Sequence, residues 1–298
     1  MRIQTLSIVA GSTSCNARCP FCVSKMTCAN GVSTEQPDVN WRNFDKACRL
    51  AQLSGVSTAM ITGKGEPTIY PYQVGAFLHT MKKYEFPLIE LQTNGLLIAK
   101  RTAAGPVLDH HLKSWYKDGL GMVALSVVHY EDERNHEIYN PYESRYPNLT
   151  KTIKHLHEMG FSVRLSCVMV KGFIDSVETL KDMISYAKAN SVEQLTFTPV
   201  NRTSGNRGDK YWKWAQANAL DTRSLNCIRH YFHGGSKTTI LMHLSHGATI
   251  CDFDGQNVCL SECLNTGSQA RHSELRNLIF FPDGHLRYDW QYSGAVLL

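Results

Sequence analysis

An α/β fold built on a parallel sheet is what this sequence predicts, on three observations. Between residue 3 and about residue 200, short apolar β-branched runs alternate with amphipathic stretches of helical period, as successive βα units do. Gly55, Gly119 and Gly160 fall just past expected helix ends, where a residue free to take positive φ is favoured. After residue 200 the alternation stops, and two apolar runs each fold back at an Asp-Gly step.

In order, strands are expected near Gln4 to Ala10, Val56 to Ile61, Leu88 to Gln92, Met122 to Val128, Ser162 to Met169 and Gln194 to Pro199. Between them, apolar spacing predicts helices near Trp41 to Leu53, Tyr72 to Tyr84, Val107 to Lys117, Asn148 to Glu158 and Ser176 to Lys188, the last capped by Asp175 or Ser176. Six strands joined by crossover helices make a parallel sheet that either closes partly into a barrel or stays open and doubly wound. In both arrangements ligands collect at the carboxyl ends of the strands. Residues 1–204 are expected to form this core. Residues 205–298 are expected to form a β-rich extension over its open side, with a helix and then the hairpins TICDFDGQNVCL and LIFFPDGHLRYDW.

The 298 residues are 43% hydrophobic and 19% charged, the balance of a soluble globular chain with a sizeable core. The opening MRIQTLSIVAGSTS is too short and polar for a secretory signal, and no uncharged apolar run of about 18 residues is present to span a bilayer. A cytoplasmic protein without a membrane role is therefore expected. In a reducing compartment, ten cysteines point to metal or redox chemistry where they cluster, not to a disulfide framework. A net charge of +5 without a concentrated Lys/Arg tract suits an anionic small substrate about as well as nucleic acid, and gives no strong nucleic-acid signal.

The cysteines cluster near the start. SCNARCPFC, residues 14–22, spaces Cys15, Cys19 and Cys22 as C-x3-C-x2-C just after the first strand. A structural zinc site takes four protein ligands, often as two separated pairs. Three thiolates on one loop leave an iron–sulfur cube with one iron open to a ligand from outside the protein. The rival reading is zinc, completed by a distant His or Cys.

CNARCPFC, with Phe21 just before the last cysteine, resembles the cysteine loop of the radical S-adenosylmethionine (SAM) enzymes. ITGKGEPT, residues 61–68, resembles that superfamily's GGEP element, with Gly65, Glu66 and Pro67 in register and Lys64 where a glycine is more usual. LQTNG, residues 91–95, is similar to a short polar segment that often ends its third strand. The resemblance covers residues 3–201. It implies a partial (β/α)6 barrel, a 4Fe-4S cluster on Cys15, Cys19 and Cys22 whose open iron chelates SAM, and reductive cleavage of SAM to a 5′-deoxyadenosyl radical that takes hydrogen from a substrate. It further implies Gly63, Gly65, Glu66 and Pro67 around the methionine moiety and Phe21 near the adenine. Gln92, Thr93 and Asn94 would face SAM or substrate, and Ser126 and Ser166 the ribose hydroxyls and the SAM carboxylate. Asn201 would stand at the rim after the sixth strand, and an electron donor such as flavodoxin or ferredoxin is implied. No catalytic acid, base or radical-quenching residue is singled out.

Physically, glycine admits close backbone approach to a ligand, and a carboxylate at a strand end accepts hydrogen bonds from an ammonium. The plainer readings are a strand-to-helix turn with Glu66 in solvent, and serines bonded to their own backbone.

The features resemble the molybdopterin-precursor cyclase, deazapurine synthase and peptide-modifying branches. The charge and the aromatic C terminus favour a small-molecule substrate such as a nucleotide or purine derivative. A peptide-modifying enzyme or glycyl-radical activase, and a non-enzymatic zinc-stabilised module, are the alternatives. Cys227, Cys251, Cys259 and Cys263 offer ligands for a second iron–sulfur cluster, although C-x7-C-x3-C matches no extension motif of those branches. Cys251 and Cys259, placed about Asp254-Gly255, equally suit a hairpin whose thiols pack as small hydrophobes. His129 ends the fourth strand and either faces substrate or caps it. Arg287, Tyr288, Asp289, Trp290 and Tyr292 suit the core of the extension better than a substrate wall.

Overall fold

The computed structural model describes residues 3–103, 105–139, 146–200, 209–234, 238–243, 248–261, 276–290 and 295–298. Six parallel strands form its centre: β1 (Thr5–Val9), β2 (Thr58–Thr62), β3 (Leu88–Thr93), β4 (Met122–Val127), β5 (Ser162–Met169) and β6 (Gln194–Pro199). They follow one another in chain order, as right-handed crossovers dictate. Each lies within two residues of its expected bounds. The connecting helices are α1 (Val23–Met26) and α2 (Trp41–Leu53) before β2, α3 (Pro71–Met81) before β3, α4 (Asp109–Lys117) before β4, α5 (Asp132–Tyr139) and α6 (Leu149–Glu158) before β5, and α7 (Val177–Ala189) before β6. This is the partial (β/α)6 barrel with a β-rich extension.

The helix ends follow local chemistry. Ser176 caps α7 in a capping box with Thr179, and Asn148 caps α6 by accepting from Lys151 N. Gly55 and Gly160 take φ of +73° and +93° just past α2 and α6.

Beyond residue 205 come α8 (Lys210–Ala217), α9 (Thr222–Gly234) and five strands: β7 (Thr238–His243), β8 (Thr249–Phe253), β9 (Gln256–Leu260), β10 (Asn277–Phe280) and β11 (Leu286–Arg287). The single helix expected here is two. Both expected hairpins are present, and they join the same sheet at opposite edges: β9 pairs parallel with β6, and β10 parallel with β1. The eleven strands run β11-β10-β1-β2-β3-β4-β5-β6-β9-β8-β7, so the sheet crosses the boundary expected at residue 204.

Alternation along the strands gives the sheet two unlike faces. The outer face, with Leu6, Ile61, Leu91, Val123, Leu165 and Phe197, is buried under the helices. Phe44 of α2 meets Phe77 of α3 and Phe280 of β10 with ring centroids 4.9 Å apart in each pair. Each such fully buried side chain contributes about 1.5–3 kcal/mol. The inner face is polar, carrying Ser7, Glu90, Gln92, Ser126, Arg164, Ser166, Thr196 and Thr198. Low on this face Arg164 Nη2 and Glu90 Oε1 pair at 2.5 Å. Burial raises the Glu90 pKa, and Arg164 and Gln92 oppose that.

Candidate active site

The loops after β1 and β2 are fastened to each other. Ala10 N donates to Thr62 O at 2.7 Å, and Glu66 N to Ser14 O at 3.0 Å. Gly65 lies so close that a Cβ there would stand 2.0 Å from Ser14 O. Gly11, at φ +73°, donates its N–H to Gln73 Oε1 of α3 at 2.6 Å. These contacts hold the cysteine loop over the carboxyl ends of the strands.

Within that loop Cys22 N donates to Cys19 O at 3.3 Å, and Arg18 N to Tyr139 O of α5 at 2.8 Å. Cys15 Sγ accepts from Ala17 N at 3.4 Å and from Asn94 Nδ2 at 3.8 Å. Cys15, Cys19 and Cys22 all line one cleft of about 250 Å³ that is continuous with solvent. Its other walls are Phe21, Val23, Thr62 to Pro67 apart from Lys64, Gln92 to Asn94, Ser126, Tyr139, Val168 and Thr198 to Val200.

Burial pushes the Cys15 thiol up to about 11, with Glu66 and Cys22 adding to the rise. Burial likewise raises Cys19, and the thiols of Cys22 and Cys15 raise it further. Three partly buried thiolates repel one another, and a cation bound among them removes that cost. Among the described residues no three Cys, His, Asp or Glu groups are placed to hold a single metal ion, so it is by their chemistry and their shared cleft that the three thiols fit a multi-iron cluster.

Glu66 is not in solvent. Its Oε1 accepts from Thr68 N at 3.1 Å, Thr68 Oγ1 at 2.7 Å and Thr93 Oγ1 at 2.6 Å, and its Oε2 from Asn94 N at 2.9 Å. Burial raises its pKa, and these hydrogen bonds oppose the rise. The carboxylate ties the end of β2 to the end of β3, leaving capacity at Oε2 toward the cleft. Thr93 is spent in that tie, since its hydroxyl also accepts from Gly95 N at 3.0 Å. Asn94 Nδ2 donates to Asn16 Oδ1 at 2.7 Å, steadying the cysteine loop from the third strand.

Phe21 packs between Tyr139 and Trp214, with centroids 6.2 and 6.1 Å away. Ser126 is on the cleft wall, whereas Ser166, its partner across the ladder, is not among the lining residues. Asn201 lies outside the described residues. Tyr139 was not anticipated. It ends α5, an element whose acidic start (DERNHEIY) gives no strong apolar period, and its hydroxyl is buried beside Ser126.

His129 turns away from the cleft: its Nδ1 accepts from Glu131 N at 3.1 Å and its ring stacks on Tyr130 at 4.2 Å, so it fastens the turn after β4.

Among the described residues the later cysteines do not share one face. Cys251 pairs with Val258 and Cys259 with Ile250, so the two lie on opposite faces of the sheet and one residue out of the symmetry expected about Asp254-Gly255. Cys251 is buried in the helix-side core, its Sγ 3.8 Å from Phe232 O, while Cys259 follows Thr196 on the inner face. Cys227 is exposed on α9, and Cys263 lies outside the described residues.

Residues 9–187 match the Radical SAM superfamily. The chain belongs to that superfamily. It is accordingly a radical SAM enzyme, and its cofactors are a 4Fe-4S cluster and SAM. It is 29% identical over 225 residues to a GTP 3′,8-cyclase of Staphylococcus epidermidis, covering 73% of this chain and 59% of the relative. The GTP 3′,8-cyclase of Aquifex aeolicus is 27% identical over 165 residues, covering 54% and 46%. The chain thus spans less than two thirds of the length of these relatives. In fold it matches Streptococcus suis SuiB bound to S-adenosylmethionine, with a TM-score of 0.64 at 15% identity, over 98% of this chain and 61% of that one. Among the described residues no helix of this radical SAM enzyme is long and apolar enough to cross a membrane.

Proposed function

We propose that Cys15, Cys19 and Cys22 hold the 4Fe-4S cluster, and that the enzyme acts on a small molecule of the nucleotide or purine class. The observation that carries the reading is the meeting of three thiols with the ridge Gly63, Gly65, Glu66 and Pro67 in one cleft. When bound, the cluster supplies the electron, delivered by a donor such as flavodoxin or ferredoxin, that splits SAM into methionine and a 5′-deoxyadenosyl radical able to take hydrogen from the substrate.

The chain's own residues bind and exclude. The free capacity of Glu66 Oε2 and the strand-end backbone beside Gly63 and Gly65 receive the methionine ammonium. Phe21 and Tyr139 offer aromatic surface to the adenine, and Ser126 offers a hydroxyl to the ribose. Val168, Thr198 and Val200 form the wall left for substrate. These apolar and hydroxyl groups suit a base and sugar. The nucleotide class draws support from the relatives named as GTP 3′,8-cyclases.

The test is anaerobic reconstitution of the full chain, expected to yield about four irons and four sulfides per chain. Incubation with SAM and dithionite should then release 5′-deoxyadenosine slowly. Purine nucleotides and nucleosides should accelerate it, with a new product by mass spectrometry. A colourless zinc protein would sink the cluster assignment, and indifference to every purine compound would sink the substrate class.

A further inference from the structure

Lys64 interrupts the glycine ridge, and its side chain leaves the cleft that Gly63 and Gly65 line. It is only 6% exposed. Its Nζ donates to Cys28 O at 2.7 Å and to Thr27 Oγ1 at 3.1 Å, and lies 5.6 Å from the ring centroid of Trp290. Thr27 closes α1, the turn that Cys22 opens, and its own hydroxyl donates to Val23 O at 2.9 Å. The carbonyl of Trp290 accepts from Asn30 Nδ2 at 3.1 Å. The ammonium is thus boxed in by the chain leaving the third cysteine and by the C-terminal extension.

Among the described residues no carboxylate forms an ion pair with Lys64. A buried ammonium without a counter-charge is unfavourable, and buried charges are as a rule paired. Burial holds the Lys64 pKa below the ordinary lysine value and Arg287 adds to the fall, while the sulfurs of Cys28 and Cys22 oppose it.

We propose that Lys64 is the fixed counter-charge of the cluster, a positioning residue whose buried ammonium offsets the negative charge of the thiolate-bound cube and so raises the potential at which the cube accepts its electron. This rests on the cluster seat proposed above. Reduction adds one electron, from the external donor, with no bond made or broken. A nearby fixed cation therefore stabilises the reduced form more than the oxidised one.

Lys64→Met removes the charge at nearly constant volume. The full chain and the variant are reconstituted anaerobically and titrated without SAM, with the paramagnetic signal of the reduced cluster as readout. The expected result is unchanged iron content and a reduction equilibrium moved at least about tenfold against the reduced form, about 59 mV for one electron. Lys64→Arg, which keeps the charge, should restore the wild-type midpoint. An unchanged midpoint in fully loaded Lys64→Met overturns the proposal. Where Lys64→Met holds no iron, Lys64→Arg decides: a loaded cluster at the wild-type midpoint upholds the proposal, and a shifted midpoint or an unloaded chain overturns it. A wild-type chain that binds no iron overturns the cluster seat as well, whereas a Lys64-independent midpoint leaves that seat standing.

Discussion

The loop after β1 and the β8–β9 hairpin each carry closely spaced cysteines, and only the loop turns them toward one place. From Cys15 to Cys22 the backbone is irregular and curls through the Cys22 N to Cys19 O turn, so residues three and four apart look into one cleft. In the hairpin the ladder decides. Cys251 shares a face with Val258, Cys259 shares the other with Ile250, and no rotamer carries a thiol through a sheet. Cysteine spacing is a ligand signal where the chain is free to curl, and loses that meaning inside a strand.

The largest test of this contrast is Cys19→Ala, for which bound iron should be lost and SAM-dependent 5′-deoxyadenosine should fall at least about 100-fold. Full iron in that variant would break the contrast from the loop side. Glu66→Gln comes next. It presents an amide N–H to the donors now served by a carboxylate, and the buried mismatch should cost about 1–3 kcal/mol in a denaturant titration and weaken SAM binding measured by calorimetry.

Cys251→Ala tests the other side. It should cost about 1 kcal/mol as a lost core contact while iron and sulfide per chain stay constant. A fall in both toward half would restore an auxiliary cluster and end the contrast.

The smallest effect concerns the pH at which these comparisons are made. Burial holds the His129 pKa below its ordinary value, and its neutral Nδ1 accepts from Glu131 N. A base with a depressed folded pKa gives its full stabilisation above its unfolded value and loses it as pH falls through the folded one. Melting temperature should therefore drop slightly from about pH 7.5 to about pH 5.5, and His129→Gln should flatten that slope.

Much of the fold was legible because its signals are local. Apolar alternation located β1 to β6, and Ser176 announced its helix. The site was legible where a motif is contiguous, as in the cysteine loop and the run Gly63 to Pro67. It was not legible where partners meet across strands. No sequence signal tells that Thr93 spends its hydroxyl on Glu66, that Tyr139 closes the cleft, or that Lys64 turns toward Trp290. Ser126 and Ser166 look alike in the sequence, and only the depth of each strand end separates the wall residue from its neighbour.

Gly65 carries a consequence of its own. With Ser14 O 2.0 Å from where a first side-chain carbon would sit, even alanine at position 65 must pry the cysteine loop apart from the run Gly63 to Pro67. The proposed seats of the cluster and of methionine share that hinge line, so a single methyl would be expected to disturb both together instead of weakening either by degrees.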